Sequence, residues 1–217
     1  MRRDFIFKLL FFFLFTVCSV ANISNSHHYF GSSAWSGQQA CIVCHTPHFA
    51  NQTVPNSPLW NHMLSSASYQ VYSSTTMDAT VGQPSGMSKL CLACHDGTVA
   101  IDNFGNNTSG TRYIDYRADL GTNMSMTHPI SFTYDTQLAT TDGQLYDPAS
   151  ANSGLGGTIQ KDLLFNGKLE CSSCHDVHAS RSNSGCTGCH SMHGYRESLS
   201  LRKSNAGSAF CLTCHKK

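Results

Sequence analysis

Cys171-Ser172-Ser173-Cys174-His175-Asp176-Val177-His178 holds the pattern that decides the fold. Two cysteines stand three apart, a histidine follows the second at once, and another histidine comes three residues later. Cysteines three apart lie on one side of a helical turn, where both sulfurs can bond the vinyl-derived carbons of a single porphyrin. The next residue, His175, is then placed to turn its imidazole toward the iron. C-x-x-C-H is the attachment sequence of c-type haem. It recurs at Cys41, Cys44 and His45, at Cys91, Cys94 and His95, at Cys186, Cys189 and His190, and at Cys211, Cys214 and His215. Zinc sites, disulfide frameworks and redox dithiols also use C-x-x-C, but none of them needs a histidine directly after the second cysteine. The reading is therefore five covalently attached haem c groups, held through these ten cysteines, with His45, His95, His175, His190 and His215 as proximal ligands.

Composition points the same way. Six of the 12 Phe fall in the first 15 residues, and from Asn22 onward Leu, Ile, Val and Phe make up only about 16% of the chain. That is thin for a globular interior, yet the near-zero net charge does not fit a disordered chain. Five porphyrins would supply the missing apolar surface, at about one per 39 residues. A large ordinary enzyme core is excluded, as is a nucleic-acid binder that works through strong basic charge.

Residues 1–21 read as a secretory signal. Arg2, Arg3 and Lys8 precede an apolar run over residues 9–17, and Ser19-Val20-Ala21 offers small residues for cleavage. Cys18 belongs to that run and leaves with it. The run is short for a transmembrane helix, and no other segment is long and apolar enough to span a bilayer. Residues 22–217 then form one exported pentahaem cytochrome c domain, periplasmic or extracellular, where thiols oxidise unless they are tied up.

Twelve histidines leave seven beyond the proximal five. His48, His178 and His193 each follow a proximal histidine by three. None can reach the same iron on the same face, but each is placed to reach a neighbouring haem. His62 and His128 lie in Pro58-Leu59-Trp60-Asn61-His62 and Thr127-His128-Pro129. Pro129 favours extended backbone at His128, which is the natural partner for a haem near the second or third motif. His27 and His28 are most simply solvated, or one of them ligates a haem in this chain or the next. Six methionines beyond the signal could serve instead, but with so many histidines to spare, bis-histidine ligation is expected.

The motifs are separated by 45, 75, 10 and 20 residues, so two haems sit early and three late. The 75-residue gap, rich in Gly, Ser, Thr and Asn, carries turn signals at 102–107, 142–143 and 154–157. Residues 130–134 alternate as a small strand would. The expected fold is a multihaem cytochrome c, mostly coil, with short helices at the motifs, few small strands, and a helix taking in Tyr69 to Ser73, all wrapped round a haem array.

The order Cys-x-x-Cys-His-Thr-Pro-His (41–48), Pro-Leu-Trp-Asn-His (58–62), Leu-Cys-Leu-Ala-Cys-His-Asp-Gly-Thr-Val-Ala (90–100), His-Pro-Ile-Ser-Phe (128–132), Glu-Cys-Ser-Ser-Cys-His-Asp-Val-His (170–178) and Cys-Leu-Thr-Cys-His-Lys-Lys (211–217) resembles exported multihaem c-type cytochromes with doubled CxxCH motifs. It is similar to the tetrahaem extracellular cytochromes that polymerise into conducting filaments in metal-reducing bacteria. The resemblance implies His48, His62, His128 and His178 as the four distal ligands. This chain departs from it by one extra motif, residues 186–193, which brings its own His190 and His193.

Electron transfer is the expected function. Packed six-coordinate haems pass electrons on while the protein sets spacing, ligands and exposure. The partners expected are redox proteins, with a head-to-tail homopolymer and an extracellular electron acceptor added by the resemblance, and no nucleic acid. The rival is an enzyme, a multihaem reductase of a small oxyanion such as nitrite. It would need an open iron position, and here ligands are plentiful.

Overall fold

A computed structural model describes residue 23, residues 26–178 and residues 200–216. The expected signal segment lies outside the described residues. So do Cys186, Cys189 and His190, expected to hold the fourth haem, and His193, expected as a distal ligand. The chain is mostly coil. Among the described residues are five short α-helices, which we number α1 (Gly86–His95), α2 (Thr136–Asp142), α3 (Ile159–Leu163), α4 (Cys171–Cys174) and α5 (Cys211–Cys214). Two 3-10 turns lie at Ala34–Ser36 and Ala206–Ser208. Two strands, β1 (Phe132–Thr133) and β2 (Lys168–Leu169), pair antiparallel with Phe132 opposite Leu169. No described helix is long and apolar enough to cross a membrane.

Helices α1, α4 and α5 carry the second, third and fifth motifs. In the first motif the turn is present without a full helix: the His45 N–H donates to the Cys41 carbonyl at 2.8 Å. The same bond joins His175 to Cys171 (3.0 Å) and His215 to Cys211 (3.1 Å). A single helical turn thus presents both sulfurs and the histidine together.

Helices α2 and α3 lie in the long gap, where the sequence suggested turns. Asp135 caps α2 by accepting from the Leu138 N–H at 2.8 Å. Gly143, read as a turn residue, closes it at φ 71°, a left-handed conformation that favours glycine. Thr158 caps α3 in the same manner as Asp135 caps α2. The helix expected over residues 69–73 is absent. That stretch is coil, and Gln70 bridges Asn123 through the Met124 N–H to Gln70 carbonyl bond at 2.8 Å. Tyr69 turns to the 90s instead, where its hydroxyl donates to Asp96 at 2.6 Å.

The gap also supplies an apolar interior. Phe132, Tyr134, Ala139, Ile159, Leu163, Leu164 and Leu169 pack with Leu201 and Phe210, and Cys174 and Cys214 lie against them. Two motifs therefore rest on ordinary side-chain packing that the low aliphatic content had suggested was missing. The residues responsible are few, but they are gathered into one cluster.

Candidate haem-binding site

Each described motif is pinned by a crossing segment. The carbonyls of Cys44, Cys174 and Cys214 accept from the N–H groups of Asn61 (2.9 Å), Arg202 (2.9 Å) and Tyr146 (2.8 Å). In the second motif the His95 carbonyl accepts from Leu120 at 2.7 Å. A backbone bond of this kind fixes the end of the turn, and with it the direction in which the proximal imidazole leaves the chain.

The side chains are oriented as metal ligands usually are, with one ring nitrogen engaged and the other left for the metal. His45 Nδ1 lies 2.5 Å from the Pro58 carbonyl, and His95 Nδ1 lies 2.9 Å from that of Ala118. His128 Nδ1 lies 2.9 Å from the Pro129 carbonyl, and His178 Nδ1 faces Asp176 Oδ1 at 3.5 Å. These contacts favour the Nδ1–H tautomer and leave Nε2 as the atom open to a metal.

Three proximal histidines face a second histidine. His45 and His178 have ring centroids 6.2 Å apart with planes 15° from parallel. His128 and His215 are 6.4 Å apart with planes 76° apart. His28 and His95 are 5.9 Å apart, tilted by 50°. A metal–imidazole bond is about 2 Å and a ring nitrogen sits about 1 Å from its ring centre, so two imidazoles across one metal ion have centroids roughly 6 Å apart. The pairs fit that span. The donor set is all-imidazole beside paired thiols, and the residues present fit haem c.

His28 was the candidate ligand least visible in the sequence. It is half-buried, not solvated, and its Nδ1 is a buried nitrogen with no hydrogen-bond partner. Ser26 places it: the Ser26 hydroxyl donates to the Val177 carbonyl at 2.8 Å and accepts from the His28 N–H at 3.1 Å. Burial, aided by the neighbouring His95, His27, His175 and His178, pushes His28 down to about 4, so it stays neutral. Two adjacent histidines shortly before the first motif were the available signal.

The other expected distal ligands are placed differently. His128 faces the fifth motif, not the second or third, because the backbone around Leu145 bridges His215 and draws the C-terminal turn beside the gap. His62 is 1% exposed, with Nδ1 2.8 Å from the Met63 carbonyl and Nε2 3.1 Å from that of Ala100. Its Nε2 also lies 3.5 Å from Cys94 Sγ, and its ring contacts Trp60. His48 is exposed. Both line one cleft of about 570 Å³, together with Phe49, Trp60 and Met63.

The cysteine pairs form a spatial series. Cys44 is close enough to Cys91 and Cys94 to raise both thiols, Cys171 raises Cys91, and Cys211 and Cys214 raise Cys174. Motifs two and three, the most distant neighbours in sequence, are therefore adjacent in space. None of the eight described motif cysteines is in a disulfide. Burial pushes Cys44 and Cys214 up to about 11, and Cys94 and Cys174 up to about 12. Cys171 moves the other way, lowered by the Cys91 side chain beside it. Among the described residues no three His, Cys, Asp or Glu side chains gather as a metal-ion site.

Residues 181–217 match the family described as the doubled CXXCH motif. That span takes in the fourth motif, with Cys186, Cys189 and His190, and the fifth, with Cys211, Cys214 and His215. No curated protein matches the chain. The doubled motif supports a multihaem c-type cytochrome in general, with covalent haem c binding and electron transfer.

Proposed function

We propose that the chain is a pentahaem electron carrier, exported to the periplasm or cell exterior after cleavage near residue 21, with mainly bis-histidine haems and no catalytic site. The observation that supports this most is the set of three facing imidazole pairs, His45–His178, His95–His28 and His215–His128, each spaced for one metal ion between them. When bound, haem c supplies a one-electron couple whose potential depends on axial ligands, hydrogen bonding and burial. The chain's own residues do the rest. The paired cysteines anchor covalently, Pro58, Ala118 and Pro129 carbonyls orient imidazoles, and the apolar cluster around Leu163 seats the third and fifth motifs.

A facing histidine on each side closes a metal ion to small substrates, which favours a carrier over an oxyanion reductase. Redox proteins are the partners proposed. A head-to-tail homopolymer passing electrons to an extracellular acceptor is the extended form of the same reading, carried by the resemblance to filament cytochromes.

The test is the mass and spectrum of the purified exported protein. The mass should equal residues 22–217 plus five haems, and the oxidised protein should be low-spin throughout. Bound zinc or five disulfides would overturn haem attachment. A large high-spin signal that shifts with nitrite or cyanide would overturn the carrier in favour of the reductase. Filaments in images of extracellular material would support the homopolymer, and monodisperse single molecules would reject it.

A further inference from the structure

Glu170 is a buried carboxylate that belongs to neither a proposed haem ligand set nor, among the described residues, an ion pair. It is 2% exposed. Its Oε2 accepts from the Ser88 N–H at 3.2 Å, from the Ser88 hydroxyl, and from the Ser131 hydroxyl at 2.8 Å. Ser88 sits in the first turn of α1, whose own N-cap, Ser85, makes no side-chain cap bond. Glu170 thus caps the helix of the second motif from a residue 82 positions away. It is also the N-cap residue of α4, the helix of the third motif, where its N–H donates to Ser173 Oγ at 2.8 Å.

The junction is doubled. The Cys171 N–H donates to Ser88 Oγ at 3.0 Å, and the Ser85 N–H donates to Ser131 Oγ at 3.1 Å. Gly86 leaves room for it: at φ 51° a Cβ there would come within 2.9 Å of Glu170 Oε1. An unsatisfied buried carboxylate is costly, so the donors and the acid hold one another in place. Beside this knot the Cys91 and Cys171 side chains meet.

We propose that Glu170 is a positioning residue that sets the spacing between the haems of the second and third motifs, by capping one attachment helix while starting the other. The proposal rests on haem attachment at these motifs. A carboxylate suits the task because one oxygen takes several donors at fixed geometry, whereas apolar packing at this point would leave α1 and α4 free to slide. The spacing matters for a carrier because electronic coupling between neighbouring haems falls steeply with distance.

The test compares Glu170→Ala, Glu170→Gln and Ser88→Ala with wild-type holoprotein, first by mass and then by circular dichroism in the Soret region, where neighbouring haems give a paired positive and negative band. The mass reports on haem attachment alone. Wild-type protein without haems would sink the haem reading, whatever the role of Glu170. With five haems present, E170A should lose amplitude in the paired band, S88A should lose part of it, and E170Q, which keeps the accepting oxygen, should retain most of it. An unchanged band in E170A overturns the proposal. If E170A does not mature with five haems, an unchanged band in S88A overturns it instead. E170Q falling as far as E170A also overturns it.

Discussion

The imidazole of His178 lies opposite that of His45, with 6.2 Å between centroids and planes 15° from parallel, although the two belong to the third and first motifs. The ring placed to complete one site is thus carried by the tail of another. Substituting His178 by Ala should turn one haem high-spin in the electron paramagnetic resonance spectrum and leave the others low-spin. Retention of a fully low-spin spectrum would reject the pairing.

His28 faces His95, a different proximal ligand. The loss in His28→Ala should therefore add to that in His178→Ala, giving two high-spin haems in the double variant. If the double variant shows the same single high-spin haem as either parent, the two histidines do not serve separate sites.

His128 is placed opposite His215 of the fifth motif. His128→Ala should turn one haem high-spin in the full-length protein. It should add no high-spin signal where Cys211 and Cys214 are both replaced by Ser and the fifth-motif haem is absent. A new high-spin signal in that background would assign His128 to another motif.

Leu163 is 1% exposed at the centre of the cluster formed by Phe132, Ile159, Leu169 and Phe210. Leu163→Ala should destabilise the protein by about 2–5 kcal/mol, the usual result of emptying a packed site. Equilibrium urea unfolding followed by far-ultraviolet circular dichroism measures this. A change within error of zero would mean that the cluster contributes little beyond the haems.

The loop at residues 153–157 adds an acid-sensitive contact. The Ser153 hydroxyl and the Gly157 N–H, at 2.8 Å, donate to Asp162 and hold its carboxyl below the usual carboxylate range. A lowered folded value means that the stabilisation is present above the unfolded value of about 3.9 and is lost as pH falls through the folded one. Wild-type protein should have a higher melting temperature than Asp162→Asn at pH 7, with the gap closing as the solution is acidified below about pH 4. A gap that stays constant with pH would show that the carboxylate charge is not responsible.

The attachment turns were legible because C-x-x-C-H is a local pattern, and one helical turn realises it wherever it is described. Turn chemistry was legible for the same reason, although Asp142-Gly143 marked the end of a helix where a loop was expected. Partner choice was not. His128 could be read as an extended loop residue, but which proximal histidine it meets depends on how residues 144–146 pair with the C-terminal turn. Glu170 was visible only as the residue before a motif. Its role depends on Ser88 and Ser131, which come near it only after the long gap folds back. The gap's own interior escaped notice because a whole-chain average conceals seven apolar residues that gather in one place.

The crossing of His178 to His45 also bears on assembly. A chain made from its N-terminus presents the first motif early, but the imidazole proposed as its second ligand is produced only once the third motif has been translated. On that pairing the first motif would be completed after the second, although it comes before it in the chain. On the proposed pairing, shortened products that stop before residue 178 would lack the second imidazole for the first motif.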